Sequence, residues 1–395
     1  MRVSLQQRAQ SLHAQREAAH RLRRRRTVAR RDGVRAEVDG AWLLECCGND
    51  YLGLSRHPAV VAALRDAARR DGAGGVASHL VSGHAAAHEA LEHALADWLQ
   101  APRALLFGSG YLANLAVLQG LLGEGDACVQ DRLNHASLID GARLAGCALK
   151  RYPHADAGGA ARQLAAHPQG AALLATDGVF SMDGFIAPLD EITTLAAKYG
   201  ALVHIDECHA TGFLGATGRG SAEVKGVLDK IDIFTGTLGK AMGGALGGFT
   251  TAKREVIELL RQRSRPYLFS NSLPPHVVAA GIKAFEMLSS AGELRERLRE
   301  NTTYFRERMT AAGFDIRPGV HPISPVMLYD APLAQRFAER LLEEGIYAIG
   351  FFFPVVAKGQ ARIRTQMSAA HTREHLDRAI DAFIRIGREL GVLKA

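Results

Sequence analysis

Four short segments bring together residue types that could manage a reactive cofactor. IDECHATG places Asp206 and His209 directly after the apolar run ALVHI (201–205). Open α/β sheets present ligand-binding residues at such strand ends. A carboxylate there can pair a cationic ring nitrogen, or it can simply cap a helix. TGTLGKA (235–241) sets Lys240 among Gly236, Gly239, Ala241, Gly243 and Gly244. Lysine is seldom buried without a partner, and a desolvated lysine is the side chain that forms Schiff bases. A surface turn is the plain alternative. GSGY (108–111) follows the apolar run ALLF (104–107) and opens a helical pattern, so the amides of Gly110 and Tyr111 could cradle a phosphate. LNHAS (133–137) places His135 shortly after another strand candidate, either as a ring-covering group or as a structural histidine.

Each segment alone has an ordinary reading. Together they supply a phosphate cradle, an aldehyde-accepting lysine, a carboxylate for a pyridinium nitrogen and a histidine for a ring face. That is the set with which a protein orients and tunes pyridoxal 5'-phosphate. The order also fits, with the phosphate turn first, then Asp206, then Lys240.

Three other motifs fail. GTLGKA (236–241) lacks the first glycine of a P-loop, where Phe234 stands, and has Ala241 in place of Ser or Thr. GAGGVA (72–77) follows a helical pattern rather than a strand, which excludes a dinucleotide fingerprint. In HEALEH (88–93) the second histidine comes one residue too late to share a helix face with the first, so no metal site is expected.

The elements that must position these residues follow from hydrophobic rhythm. Strand candidates lie at 104–107, 127–130, 148–152, 171–176, 201–205, 231–235 and 247–251, most of them separated by helical segments. Such alternation predicts an α/β fold with a mainly parallel, covered sheet. LDEITTLAAKYG (189–200) reads as a helix closed by Gly200. Residues 4–26 have helical composition, and AWLLECC (41–47) is a short apolar stretch. From about residue 283, charged helices (293–312, 332–344, 372–391) alternate with short apolar runs. The expected organisation is an N-terminal arm (1–47), a large cofactor-binding domain (48–282) and a smaller α+β domain (283–395).

Composition bounds the partners. The 395 residues are 47% hydrophobic and 23% charged, which excludes a disordered chain. The net charge of +7 arises entirely in residues 21–35, with eight Arg and one Asp. A diffuse basic face for nucleic acid is therefore not expected. Five cysteines without a C-x-x-C favour free thiols in a reducing cytoplasm. No apolar run approaches the ~18–20 residues of a membrane span, so no membrane partner is expected.

At this point the chain resembles the α-oxoamine synthases, a branch of the fold-type-I pyridoxal phosphate enzymes. NDYLGL (49–54), LNHAS (133–137), DGVFSMDG (177–184), the D-x-x-H segment (206–212), TLGK (237–240) and ARIR (361–364) carry the resemblance, in that order. It implies a fold-type-I aminotransferase-like architecture and a homodimer with shared active sites. Lys240 would hold the cofactor as an imine and move the substrate's Cα proton. Asp206 would pair the ring nitrogen, His209 the ring hydroxyl, and His135 would stack on the ring. Gly110, Tyr111, Ser181 and Thr237 match cofactor-contacting positions. Ser270 and Asn271 match residues that reach a neighbouring subunit's phosphate. Arg364 would hold the amino-acid carboxylate, a task suited to guanidinium. Asn49 would lie near the substrate entrance.

The implied reaction is condensation of a small amino acid with an acyl-CoA to an α-oxoamine. From about residue 175 the chain looks like the glycine C-acetyltransferase (2-amino-3-ketobutyrate CoA ligase) branch, through strings such as RQRSRPYLFSNSL (261–273) and EGIYAIGFFFPVV (344–356). The first 170 or so residues look more like the 8-amino-7-oxononanoate synthase branch, through GGVASHLVSGH (74–84) and WLQAPRALLFGSGYLANLAV (98–117). A hybrid chain, natural or engineered, is the resulting expectation. Val355 matches the first branch, whereas Arg23 matches a substrate-binding arginine of the second. Glycine with acetyl-CoA is the leading expectation. L-alanine with a pimeloyl thioester, decarboxylating on the way to biotin, is the alternative. A non-enzymatic regulator that uses the arginine run on DNA is a remote third reading.

Overall fold

The computed structural model describes residues 4–19, 22, 25–243 and 245–394; Arg23 and Gly244 lie outside them. The chain divides into two compact units, residues 49–298 and residues 1–48 with 299–395.

The first unit is built on a seven-stranded sheet. Its order is Arg103–Phe107, Gly248–Ala252, Ile233–Thr237, Leu202–Asp206, Ala172–Asp177, Ala127–Asp131 and Ala148–Tyr152. All neighbours pair in parallel except Gly248–Ala252, which is antiparallel to both of its partners. All seven strand candidates are present, and Arg103–Phe107 therefore runs in the same direction as the parallel strands. Their continuous apolar character has a direct cause: helices cover the sheet, so alternate residues are not released to solvent. Ile233–Thr237, Gly248–Ala252 and Ala127–Asp131 are buried at every position. The helices Gly110–Leu121, Ala136–Ala145 and Arg254–Arg263 pack Val117, Leu118, Leu138, Ile257 and Leu260 onto Leu105, Cys128, Leu173 and Ile233. Gly200 closes the helix Leu189–Tyr199 in the left-handed conformation, at φ 66°.

The second unit contains an antiparallel sheet of Ile323–Tyr329, Ala361–Gln366 and Ile349–Phe351, with the helices Ala331–Glu343 and Arg373–Glu389. Its other sheet differs from the expected arm over residues 1–47. Among the described residues of that span, only Leu5–Ala18 is helical. The strands Val28–Asp32, Arg35–Val38 and Ala41–Glu45 form an antiparallel ribbon, and Ile346–Tyr347 joins it in parallel. Asp39 and Gly40 both take positive φ (51° and 85°), the two-residue turn that matches strand twist. The expected break at 282/283 also differs from the observed division at 298/299. Helix Pro275–Leu288 buries Val278, Ala284 and Leu288 and packs on Pro58–Asp71 and Ala86–Trp98, so it belongs to the sheet-bearing unit.

Among the described residues of the arginine run, three form ion pairs within the second unit. Arg26 pairs with Asp39 at 2.7 Å, Arg30 with Glu37 at 2.7 Å and Arg31 with Glu45 at 3.3 Å. Arg35 lies over the Trp42 ring. Among the described residues, no helix is long and apolar enough to cross a membrane.

Candidate active site

Parallel strands end on one edge of the sheet, and the loops leaving that edge carry most of the residues singled out above. Asp206 is the last residue of Leu202–Asp206 and is buried. Asn114 Nδ2 donates to its Oδ2 at 2.6 Å, and the Cys208 amide donates to its Oδ1 at 2.8 Å. Burial opposes ionisation of Asp206. His135, the Cys208 donor and Lys240 outweigh it and hold the carboxyl below its ordinary pKa. Beside it in parallel register lies Asp177, whose pKa burial and the Asp206 charge push well up. The pair thus divides its protonation states, with Asp206 the anion.

His135 caps the helix Ala136–Ala145. Its amide donates to the Asp177 carboxyl at 3.0 and 3.2 Å, and its Nδ1 lies 2.7 Å from Ser137 Oγ. Asn134 pins the same turn to the neighbouring strand, donating to the Ala175 carbonyl and accepting from the Asp177 amide. His209 bonds through Nδ1 to the Tyr51 hydroxyl at 2.7 Å, and the Tyr51 ring stacks on Phe213. The loop bearing His209 is anchored by Glu207, which accepts from Ser221 Oγ and from the Ser221 and Ala222 amides. Burial raises the Glu207 pKa to about 7.

Lys240 is half-buried in the turn after Ile233–Thr237. Thr237 shapes that turn, its hydroxyl donating to the Gly247 carbonyl and accepting from the Gly239 amide. Ser109 caps Gly110–Leu121 by accepting from the Leu112 amide. The Gly110 and Tyr111 amides sit in the first helical turn, where no intrahelical acceptor exists. The Tyr111 hydroxyl donates to Asp140 at 2.7 Å. A side chain at Gly248 would come within 2.3 Å of the Ser109 backbone, so this cradle needs glycine beside it.

These residues fit a phosphate-bearing pyridine aldehyde. Free first-turn amides suit the phosphate. A carboxylate has about four lone-pair sites, and the two donors to Asp206 leave room for a protonated ring nitrogen. A lysine and an imidazole stand on neighbouring loops.

The remaining expected residues are more dispersed. Ser181 follows the short strand Val179–Phe180 and is half-buried. Ser270 and exposed Asn271 lie on a segment that bridges to Ser78, and among the described residues no hydrogen bond joins them to Asp206, His135 or His209. Asn49 precedes Tyr51, its carbonyl accepting from the Tyr51 amide. Arg364 belongs to the other unit, buried on Ala361–Gln366 with its guanidinium 5.8 Å from the Phe351 ring centroid. Sequence reasoning passed over Asn114, Ser137, Thr235, Asp177 and Tyr51. The visible signal for Asn114 was a lone amide in the apolar helix YLANLAVL.

Comparison with known proteins places the arrangement in context. The family model for aminotransferase class I and II matches residues 43–383. The 2-amino-3-ketobutyrate coenzyme A ligase of Salmonella typhimurium is 53% identical over 361 residues, 90% of each chain. The 8-amino-7-oxononanoate synthase of Xanthomonas campestris pv. campestris is 46% identical over 386 residues, 97% of this chain and 96% of that one. A serine palmitoyltransferase variant from S. paucimobilis, solved with a bound PLP–myriocin aldimine, superposes with a TM-score of 0.95. It is 30% identical and covers 99% of this chain and 100% of its own.

Proposed function

Because the chain belongs to the aminotransferase class I and II family, and within it to the α-oxoamine synthases, we propose that it is a pyridoxal phosphate-dependent acyltransferase. The reaction is condensation of glycine with acetyl-CoA to 2-amino-3-oxobutanoate and free CoA. The observation that carries the chemistry is the buried Asp206 anion, held by Asn114 and Cys208 at a strand end close enough to Lys240 to feel its charge.

Bound there, the cofactor supplies an electron sink for a carbanion at the amino acid's α-carbon. Asp206 keeps the proton on the ring nitrogen. Lys240 Nζ would anchor the cofactor carbon and take one Cα proton; a bond to the acyl carbon replaces that C–H bond while the thioester C–S bond breaks, and the proton leaves with the CoA thiol. The Gly110 and Tyr111 amides, with Thr237 and Ser181, hold the phosphate side. His209 bonds the ring hydroxyl, and the His135 ring covers the ring face. Arg364 binds the substrate carboxylate, and Asn49 borders the approach. Ser270 and Asn271 reach the phosphate of a second copy, so the working form is a homodimer, in the cytoplasm where all five cysteines stay free.

Identity of 53% to the ligase against 46% to the synthase supports glycine and acetyl-CoA. The second reading, L-alanine with pimeloyl thioester, is supported by the longer span of the synthase match. Thiol release from acetyl-CoA or pimeloyl-CoA, each with glycine or L-alanine, decides between them. Fastest turnover with alanine and pimeloyl-CoA overturns the first reading. A borohydride-reducible visible band, lost in Lys240→Ala, tests the cofactor. Scanning the segments before and after residue 175 separately against the two branches tests the hybrid reading. Equal similarity of both segments to one branch removes it.

A further inference from the structure

We propose that Asn114 is a positioning residue that ties the Asp206 carboxylate to the His135 imidazole and fixes which His135 nitrogen carries the proton. The proposal rests on the cofactor site described above, because both tied groups would face the cofactor.

The hydrogen count leads to one arrangement. Asn114 is fully buried in the helix Gly110–Leu121. Its Nδ2 has two hydrogens, and its two partners are Asp206 Oδ2 at 2.6 Å and Ser137 Oγ at 2.8 Å. Its Oδ1 accepts from Thr235 Oγ1 at 2.6 Å. The flipped amide would press oxygen against the Asp206 carboxylate, so the partners define the orientation. Ser137 Oγ, already accepting, gives its single hydrogen to His135 Nδ1 at 2.7 Å. The Ser137 amide points at the same nitrogen, at 3.3 Å. Two donors on Nδ1 leave the ring proton on Nε2.

The far end of the chain is also determined. Thr235 spends its hydrogen on Asn114, so His204 Nε2, 3.2 Å away, donates to Thr235 Oγ1. Burial lowers the His204 pKa to about 4, so this end carries no charge. One amide therefore sets two features of the cofactor environment: Asp206 accepts without swinging, and His135 presents an N–H from Nε2. Asn114 touches no reacting atom; it acts through Asp206 and His135.

The test uses full-length protein labelled with ¹⁵N-histidine, compared as wild type, Ser137→Ala and Asn114→Leu, with His135→Gln to assign the resonances. Spectra are recorded without cofactor, and the visible band is titrated after loading. Wild type should show His135 Nδ1 unprotonated and Nε2 protonated. Loss of one hydrogen bond should shift the tautomer ratio about tenfold in Ser137→Ala. Asn114→Leu should shift it as well, and should also weaken cofactor affinity about tenfold or more, with kcat falling more than KM. Ser137→Ala removes one hydroxyl without adding volume, so it stays informative if Asn114→Leu does not fold. An unchanged His135 tautomer in Ser137→Ala, or a wild-type His135 protonated on Nδ1, overturns the proposal. Absence of a visible band in wild type would instead count against the cofactor reading, and the tautomer result would still decide the role of Asn114.

Discussion

Replacing Asp206 by asparagine separates two consequences of one carboxylate. The wild-type group accepts from Asn114 Nδ2 at 2.6 Å and from the Cys208 amide at 2.8 Å. Asparagine offers one oxygen, so one of these donors would meet an NH₂ group. A buried donor left unsatisfied costs about 1–3 kcal/mol, which lowers the melting temperature by a few degrees in a chain of this size. The second consequence concerns charge. A unit pair about 3 Å apart at an effective dielectric constant of about 20 is worth about 5 kcal/mol. If Asp206 pairs a cationic ring nitrogen, kcat/KM should fall about 10³- to 10⁴-fold. The measurements are CoA-thiol release and thermal melts of the cofactor-free protein. The pH dependence has a defined sign. A carboxyl whose folded pKa is depressed adds stability above its unfolded pKa of about 3.9, and that stability is lost as pH falls through the folded value. The melting deficit of Asp206→Asn should therefore persist at neutral pH and shrink only below about pH 4. A variant that keeps a tenth of wild-type kcat/KM, or that melts like wild type at pH 7, would refute the reasoning.

Three further substitutions probe the framework. Glu92 is buried, with its pKa raised to about 7. A raised carboxyl pKa subtracts stability as pH rises from about 4.5 through 7, by about 3 kcal/mol in all. Glu92→Gln should therefore flatten the decline in urea stability between pH 5 and pH 8; an unchanged slope contradicts the assignment. Asp177→Asn keeps an acceptor for the His135 amide and removes the second buried acid beside Asp206. It should melt at or above wild type at pH 8, with the advantage gone below about pH 4, where Asp177 is protonated in both states. Gly248→Ala would drive a methyl group into the Ser109 and Gly110 backbone at 2.3–2.4 Å. Overpacking against backbone costs about 1–3 kcal/mol or more, so circular dichroism should show a lower melting temperature, and cofactor affinity should fall with it.

Much of the site was legible because its residues sit at strand ends that hydrophobic rhythm reveals. Asp206, His135 and Lys240 each follow an apolar run, and the topology sends those runs to one edge of the sheet. Asn114 was not legible, because its meaning depends on Asp206, Ser137 and Thr235, from three other elements. Nothing in YLANLAVL distinguishes a functional amide from a tolerated one. Tyr51 and Asp177 stood inside NDYLGL and DGVFSMDG without any spacing to show what they would touch. The N-terminal ribbon was a different failure. Helical composition over residues 4–26 suggested an arm, yet RRDGVR and EVDGAW both carry the Asp-Gly signal of a tight hairpin. The alternating pairs Arg30–Glu37 and Arg31–Glu45 show why charged residues suit a strand here: each meets an opposite charge across the ribbon.

The parallel pairing of Ile346–Tyr347 with Ala41–Glu45 orders events in time as well as in space. On a ribosome adding about 5–20 residues per second, the ribbon emerges tens of seconds before its partner strand. Residues 49–298 possess their own sheet and core and can close during that interval. Ala36, Val38 and Leu43 must wait for Leu342 and Tyr347 to cover them. Gln366 and His371, which bond the Gly48 and Glu45 carbonyls, arrive later still. The nascent chain thus carries a half-finished hydrophobic ribbon until the end of synthesis, and it is there that chaperones and proteases have their longest opportunity to act.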